Sequence, residues 1–144
     1  MVDLETIFPG LAGATYQVTS PATGLYNCIA WSTGDLSRWW WPDALKQRYW
    51  PPGVAREETV AAFQDAFAGL GFAVCQNESL EPEFEKIALF ADDEGPQHAA
   101  RQLLNGRWTS KLGELEDVEH DLHDLEGVEY GKVVVFLSRP IAVP

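Results

Sequence analysis

The sequence predicts an α+β fold, with short helices packed on one side of an antiparallel sheet. Two observations carry this reading. The apolar period changes from three-and-four to two after Gly71, and Asn105-Gly106 separates two strand-like runs as a tight hairpin turn does. A third agrees: the order helix, helix, strands, helix, strand groups the element types rather than alternating them.

Taken in order, residues 1–24 are rich in Gly, Pro, Ser and Thr and read as an irregular lead-in. Asn27 is placed as an N-cap ahead of Cys28-Ile29-Ala30-Trp31, a short helix ended by Gly34 and the Trp39-Trp40-Trp41-Pro42 run. A proline-rich loop follows around Tyr49–Gly53. Glu57–Leu70 is the clearest helix, with Val60, Phe63, Phe67 and Leu70 on one face and acids in its first turn. Phe72–Cys75 reads as a short strand and Phe84–Ala91 as a buried one. Gln97–Leu104 and Arg107–Leu112 form the hairpin, through a two-residue type I′ turn. Leu115, Val118, Leu122 and Leu125 predict an amphipathic helix with its carboxylates and both histidines in solvent, stopped by Gly127. Lys132–Ser138 is the last strand, Val-rich enough to be central.

The length of 144 residues fits one domain spanning 1–144. Ten Lys and Arg against 22 Asp and Glu give a net charge of −12, a field that repels phosphates. Nucleic acid and anionic membranes are therefore not expected as partners, and a basic protein partner is the electrostatically matched one. Residues 78–94 hold seven acids and residues 114–129 hold eight, both read as solvated faces. No apolar run reaches the ~18 residues of a membrane span, and the N-terminus does not resemble a signal peptide, so a cytoplasmic location is expected.

Cys28 and Cys75 are too few for a disulfide scaffold and lack zinc-finger spacing. Cys75 ends an apolar strand and reads as core filler. Cys28 follows a helix cap, where backbone N–H groups favour thiolate and can stabilise an oxyanion. Such a nucleophile needs a base. His98 is the histidine expected on a strand after a turn. His120 and His123 fall three apart on the predicted acidic helix without a convincing third ligand, so no metal and no cofactor is expected.

At Cys28-Ile29-Ala30-Trp31-Ser32 the sequence resembles the nucleophile helix of papain-like cysteine peptidases. His98-Ala99-Ala100 and Trp108-Thr109-Ser110-Lys111-Leu112-Gly113 are similar to that family's base strand and the strand after it. The Asn-Cys start and small size look more like compact bacterial members, including CHAP-type amidases. The pattern is shared with a group of small bacterial proteins carrying Asn-Cys-Ile-Ala-Trp and Trp-Thr-Ser-Lys-Leu-Gly. The resemblance covers about half the chain. It implies a papain-like fold, its nucleophile helix packed on an antiparallel sheet, with Cys28 as nucleophile and His98 as base.

Two departures follow. The position of the family's orienting Asn is Leu112, and no Gln precedes Cys28 where the oxyanion donor is usual; either Asn27 substitutes or the hole uses backbone N–H groups alone. Counting back from a two-residue turn pairs Gln102 with Thr109 and puts His98 on the face of Thr109 and Lys111, with Ser110 opposite unless a bulge shifts the register. Thr109 and Ser110 both stay open as the third catalytic residue, as does a two-residue dyad. The Trp39–Trp41 run, Trp50 and Trp31 are candidates for the substrate cleft, Trp40 first within the run.

The expected function is a thiol hydrolase of a peptide, isopeptide or related amide bond, with Cys28 Sγ and a His98 ring nitrogen within ~4 Å. The rival is a non-catalytic acidic domain that neutralises a basic protein, on a degraded papain-like frame.

Overall fold

The computed structural model describes residues 3–141. Among these residues, seven antiparallel strands form one sheet: β1 (Gln17–Ser20), β2 (Ala73–Cys75), β3 (Phe84–Asp92), β4 (Gly95–Gln102), β5 (Trp108–Lys111), β6 (Asp117–His120) and β7 (Lys132–Pro140), in the order β1-β6-β5-β4-β3-β7-β2. The α+β class and the antiparallel sheet agree with the sequence. The helices are α1 (Leu4–Ile7), α2 (Cys28–Thr33) and α3 (Val60–Ala68).

The sheet is covered on both faces, not one. In β3, Ile87 and Leu89 face a cluster with Cys28, Ile29 and Ala30 of α2 and Phe63 and Phe67 of α3. Ala88 and Phe90 face the other way, into a cluster with Leu4, Phe8, Leu11, Val118, Leu122 and Leu125. This alternation on a strand buried on both sides explains the unbroken apolar run of β3. Thr59 caps α3 by accepting from Ala62 N–H, so the helix begins later than Glu57, and residues 63 and 67 bury one aromatic stripe against the sheet.

Three expectations are corrected. The segment 1–24 is not an irregular lead-in. Its described part holds α1, a 3-10 turn (Pro9–Leu11) and β1, because Leu4, Phe8 and Leu11 cover the second face of the sheet. The predicted acidic helix at 115–125 is β6 followed by a 3-10 turn (Leu122–Leu125). β6 lies between β1 and β5, which hydrogen-bond its backbone from both sides, and Val118 and His120 point inward with a period of two. A three-residue apolar pattern does not distinguish that arrangement from helix.

The hairpin turn is one residue longer than expected. Leu103 N–H bonds to Arg107 O, and Gly106 holds the left-handed conformation with φ 87°. Asn105 Oδ1 accepts from Arg107 N–H, which removes that donor from a two-residue closure. A three-residue loop results, and Gln102 pairs with Trp108 and Arg101 with Thr109. This one-residue slip exchanges the faces of every residue on β5.

Candidate functional site

Asn27 caps α2: its Oδ1 accepts from Ala30 N–H and Trp40 N–H, and its Nδ2 donates to Trp40 O. The side chain thus holds the tryptophan loop against the start of α2. It is a clamp, and no contact marks it as an oxyanion donor. Cys28 begins the helix and is 5 % exposed. It lines a cavity of about 300 Å³ with Asn27, Trp39, Trp41, Gln97, Gly113 and Tyr130.

Of the tryptophans expected in the cleft, Trp39 and Trp41 line the cavity and the others lie elsewhere. Trp40 and Trp50 are buried, donating Nε1 to Asp35 and to Ala55 O. Trp31 stacks on Tyr26 under Arg101 and donates to Thr109 Oγ1. Because Trp40 is clamped inward by Asn27, its neighbours Trp39 and Trp41 form the cavity wall instead. Gln97 and Tyr130 carry no motif that sequence reasoning could have singled out, and Gly113 figures there only as the end of the Trp108–Gly113 motif; the topology assembles them.

The register slip decides the surroundings of His98. Thr109 faces α2, whereas Ser110 shares the face of His98, with His98 Nε2 and Ser110 Oγ 2.8 Å apart. Ser110 Oγ also lies 2.7 Å from His120 Nε2, and His120 Nδ1 lies 2.8 Å from the backbone oxygen of Asp121. His98, Ser110 and His120 thus form a buried row across β4, β5 and β6. His120 is not a surface residue, whereas His123 is exposed and tied to Glu78 and Glu126. Among the described residues, no cluster of ligand side chains suits a metal ion.

His98 Nδ1 is buried and has no hydrogen-bond partner among the described residues. The ring lies face to face with Tyr130, centroids 4.1 Å apart, with Phe90 at its edge. Strand alternation sends Ala99 into the cluster with Cys28 and Ala100 into the opposite one, with His98. The expected hydrogen bond between Cys28 and His98 is therefore absent. Two features still join them. Ala99 N–H faces the Cys28 sulfur, and Tyr130 both lines the Cys28 cavity and stacks on His98. The β4–β5 ladder is paired at Arg101↔Thr109 and Gln102↔Trp108, so the strands separate at the end that carries the cavity.

Burial pushes the Cys28 thiol up to about 11, against the opposing effects of the Ala99, Ile29 and Cys28 N–H groups and the Lys111 cation. The expected low-pKa thiolate at the helix start is thus corrected: loss of water outweighs the local N–H groups. Burial likewise holds His98 well below the usual imidazole range, helped by His120, and holds His120 down to about 4. Near neutral pH the thiol and both imidazoles are neutral. Lys111, also buried, donates to the carbonyls of Thr23, Gly113 and Leu115, which fixes the Gly113 wall of the cavity.

No helix among the described residues is long and apolar enough to cross a membrane. A family model described as a domain of unknown function (DUF7689) matches residues 17–138, which takes in Cys28, His98, Ser110 and His120. No curated protein and no solved structure matches the chain.

Proposed function

The chain belongs to the DUF7689 family, and from the geometry of its site we propose that it is a papain-like thiol hydrolase of amide bonds. The observation that carries this reading is His98, an imidazole held at Nε2 by Ser110 while its buried Nδ1 has no partner. A buried polar atom left unpaired costs about 1–3 kcal/mol and calls for a reason, a catalytic role being one. A neutral ring oriented by a third residue, next to a cavity with a thiol in its wall, has the parts of an activated nucleophile.

The papain-like frame belongs to the same proposal. Its parts follow the expected chain order: Cys28 on an early helix packed on the sheet, His98 on β4, and an orienting residue on the next strand. Ser110 takes the place of the usual Asn. The Trp39, Trp41 and Tyr130 rings give the cavity flat apolar walls suited to a peptide-like acyl group. The bond cleaved is a peptide, isopeptide or related amide.

With substrate bound, the Cys28 S–H proton passes to His98 Nδ1 as Sγ bonds to the carbonyl carbon and the carbonyl π pair moves onto oxygen. Collapse of the tetrahedral adduct expels the amine, which takes the proton from Nδ1. Water, deprotonated by the same nitrogen, then cleaves the thioester, releases the acid and restores the thiol. On this reading the Sγ–Nδ1 contact, which strand alternation keeps apart in this structure, has to form when substrate binds.

The test is a p-nitrophenyl ester as acyl donor. A burst of nitrophenolate and an acyl mass increment on Cys28 are expected, abolished in Cys28→Ala and slowed on the order of 100-fold in His98→Ala. Acylation confined to Cys75, or insensitive to His98, rejects the proposal.

One observation favours a second reading, the non-catalytic acidic domain that binds a basic protein: the thiol is buried with no bond to His98, and strand alternation turns the two residues to opposite faces of β4. On that reading Cys28 stays unacylated.

A further inference from the structure

We propose that His120 is a positioning residue: acting through Ser110, it dictates which nitrogen of His98 carries the proton and so leaves Nδ1 free as the base. This inference rests on the hydrolase reading for its purpose, though not for its test.

Each hydrogen bond along the buried row fixes the place of one proton. The Asp121 backbone oxygen can only accept, so His120 Nδ1, 2.8 Å away, is the donor. His120 is neutral at physiological pH because burial disfavours its charged form. A neutral imidazole has one N–H, so its Nε2 is bare and accepts. The Ser110 hydroxyl, 2.7 Å from that nitrogen, donates its single proton there. Ser110 then has only lone pairs to offer His98 Nε2, at 2.8 Å, and the contact is a hydrogen bond only if His98 Nε2 carries the hydrogen. His98 is also neutral, so its Nδ1 has none. Nδ1 is also the atom left without a partner. A backbone carbonyl two strands away therefore determines the protonation pattern of the base.

No charge takes part, which distinguishes the row from a carboxylate–histidine pair. The titratable and charged side chains around His120 are Asp121, Glu119 and Arg107, and Arg107 pairs with both acids at the rim. Ser110 and His120 are fully buried on neighbouring strands, so water does not compete for these hydrogen bonds.

The test is the nitrogen NMR spectrum of the histidine rings in the full chain, without substrate, together with the rate of Cys28 acylation by the ester. Wild type is expected to show His98 protonated at Nε2 and His120 at Nδ1. In His120→Leu the Ser110 hydroxyl has no other acceptor and turns to His98 Nε2. The His98 proton should then move to Nδ1, and acylation should fall at least about tenfold. His120→Gln supplies an oxygen acceptor and should restore both the Nε2–H pattern and the rate. Should the Leu variant not fold, Ser110→Ala is expected to abolish the single Nε2–H form. Overturning results are a wild-type His98 protonated at Nδ1, a retained Nε2–H form in His120→Leu or Ser110→Ala, or a Gln variant that behaves like Leu. The expected tautomer pattern with no acylation of Cys28 rejects the hydrolase reading and leaves the positioning of His98 by His120 standing.

Discussion

Tyr130 lies flat on His98, ring centroids 4.1 Å apart and planes within 3°, while the same side chain lines the cavity over Cys28. It is the direct structural bridge between thiol and imidazole, and it keeps water from the imidazole. It precedes Gly131, whose φ is 72° and where an added Cβ would collide with the Ala91 carbonyl, so the path of the chain here is closely constrained.

Tyr130→Ala should therefore admit water to His98. Burial is the main cause of its low pKa, so the pKa should rise toward the ordinary value of about 6.5. A proton titration of the His98 ring by NMR checks this, and a value unchanged from wild type contradicts the burial account.

Stability should depend on pH between about 6.5 and 4. His98 and His120 have folded pKa values below their unfolded ones, so the unfolded chain binds more protons as pH falls. Their contribution is present above the unfolded value and is lost on acidification toward the folded one. For His120, held down to about 4, the loss is on the order of 3 kcal/mol. Urea denaturation at pH 7.5 and 4.5 measures it, and His120→Gln should flatten the dependence.

Much of the frame could be read from residues alone, for reasons that do not extend to the site. Phe63 and Phe67, the apolar run of β3 and Asn27 ahead of Cys28 each act within one element, where period and capping chemistry suffice. The register of Ser110 could not be read, because it depends on whether Asn105 closes a two-residue turn or holds Arg107 N–H. His120 could not be read either, since Val118 and Leu122 fit a helix as well as a strand and turn. Trp39 and Trp41 are separated from Trp40 only by the direction in which Asn27 clamps the loop. Sites assembled across strands depend on such one-residue choices, whereas the core tolerates them.

Phe63→Ala removes a fully buried ring that meets Trp41 and Trp50. A loss of about 3–5 kcal/mol is expected, read from the denaturant midpoint. Because Trp41 also walls the cavity, binding of a peptide-like ester should weaken in this variant.

Lys111→Met leaves the Thr23, Gly113 and Leu115 carbonyls without their shared donor. Destabilisation of about 3 kcal/mol or more is expected. The Cys28 thiol should titrate higher still, since the cation opposes the effect of burial. Ultraviolet titration of the thiolate measures the second effect.

The pH profile of Cys28 alkylation by iodoacetamide, followed by peptide mass in wild type and His98→Ala, tests the central claim most directly. If His98 Nδ1 takes the thiol proton, the wild-type rate rises with deprotonation of His98, below neutral pH, and is level through pH 8. In His98→Ala the rate then follows ionisation of the isolated thiol, near 11. A wild-type profile that itself rises only toward 11, coincident with that of His98→Ala, contradicts the assignment of Cys28 and His98 as nucleophile and base.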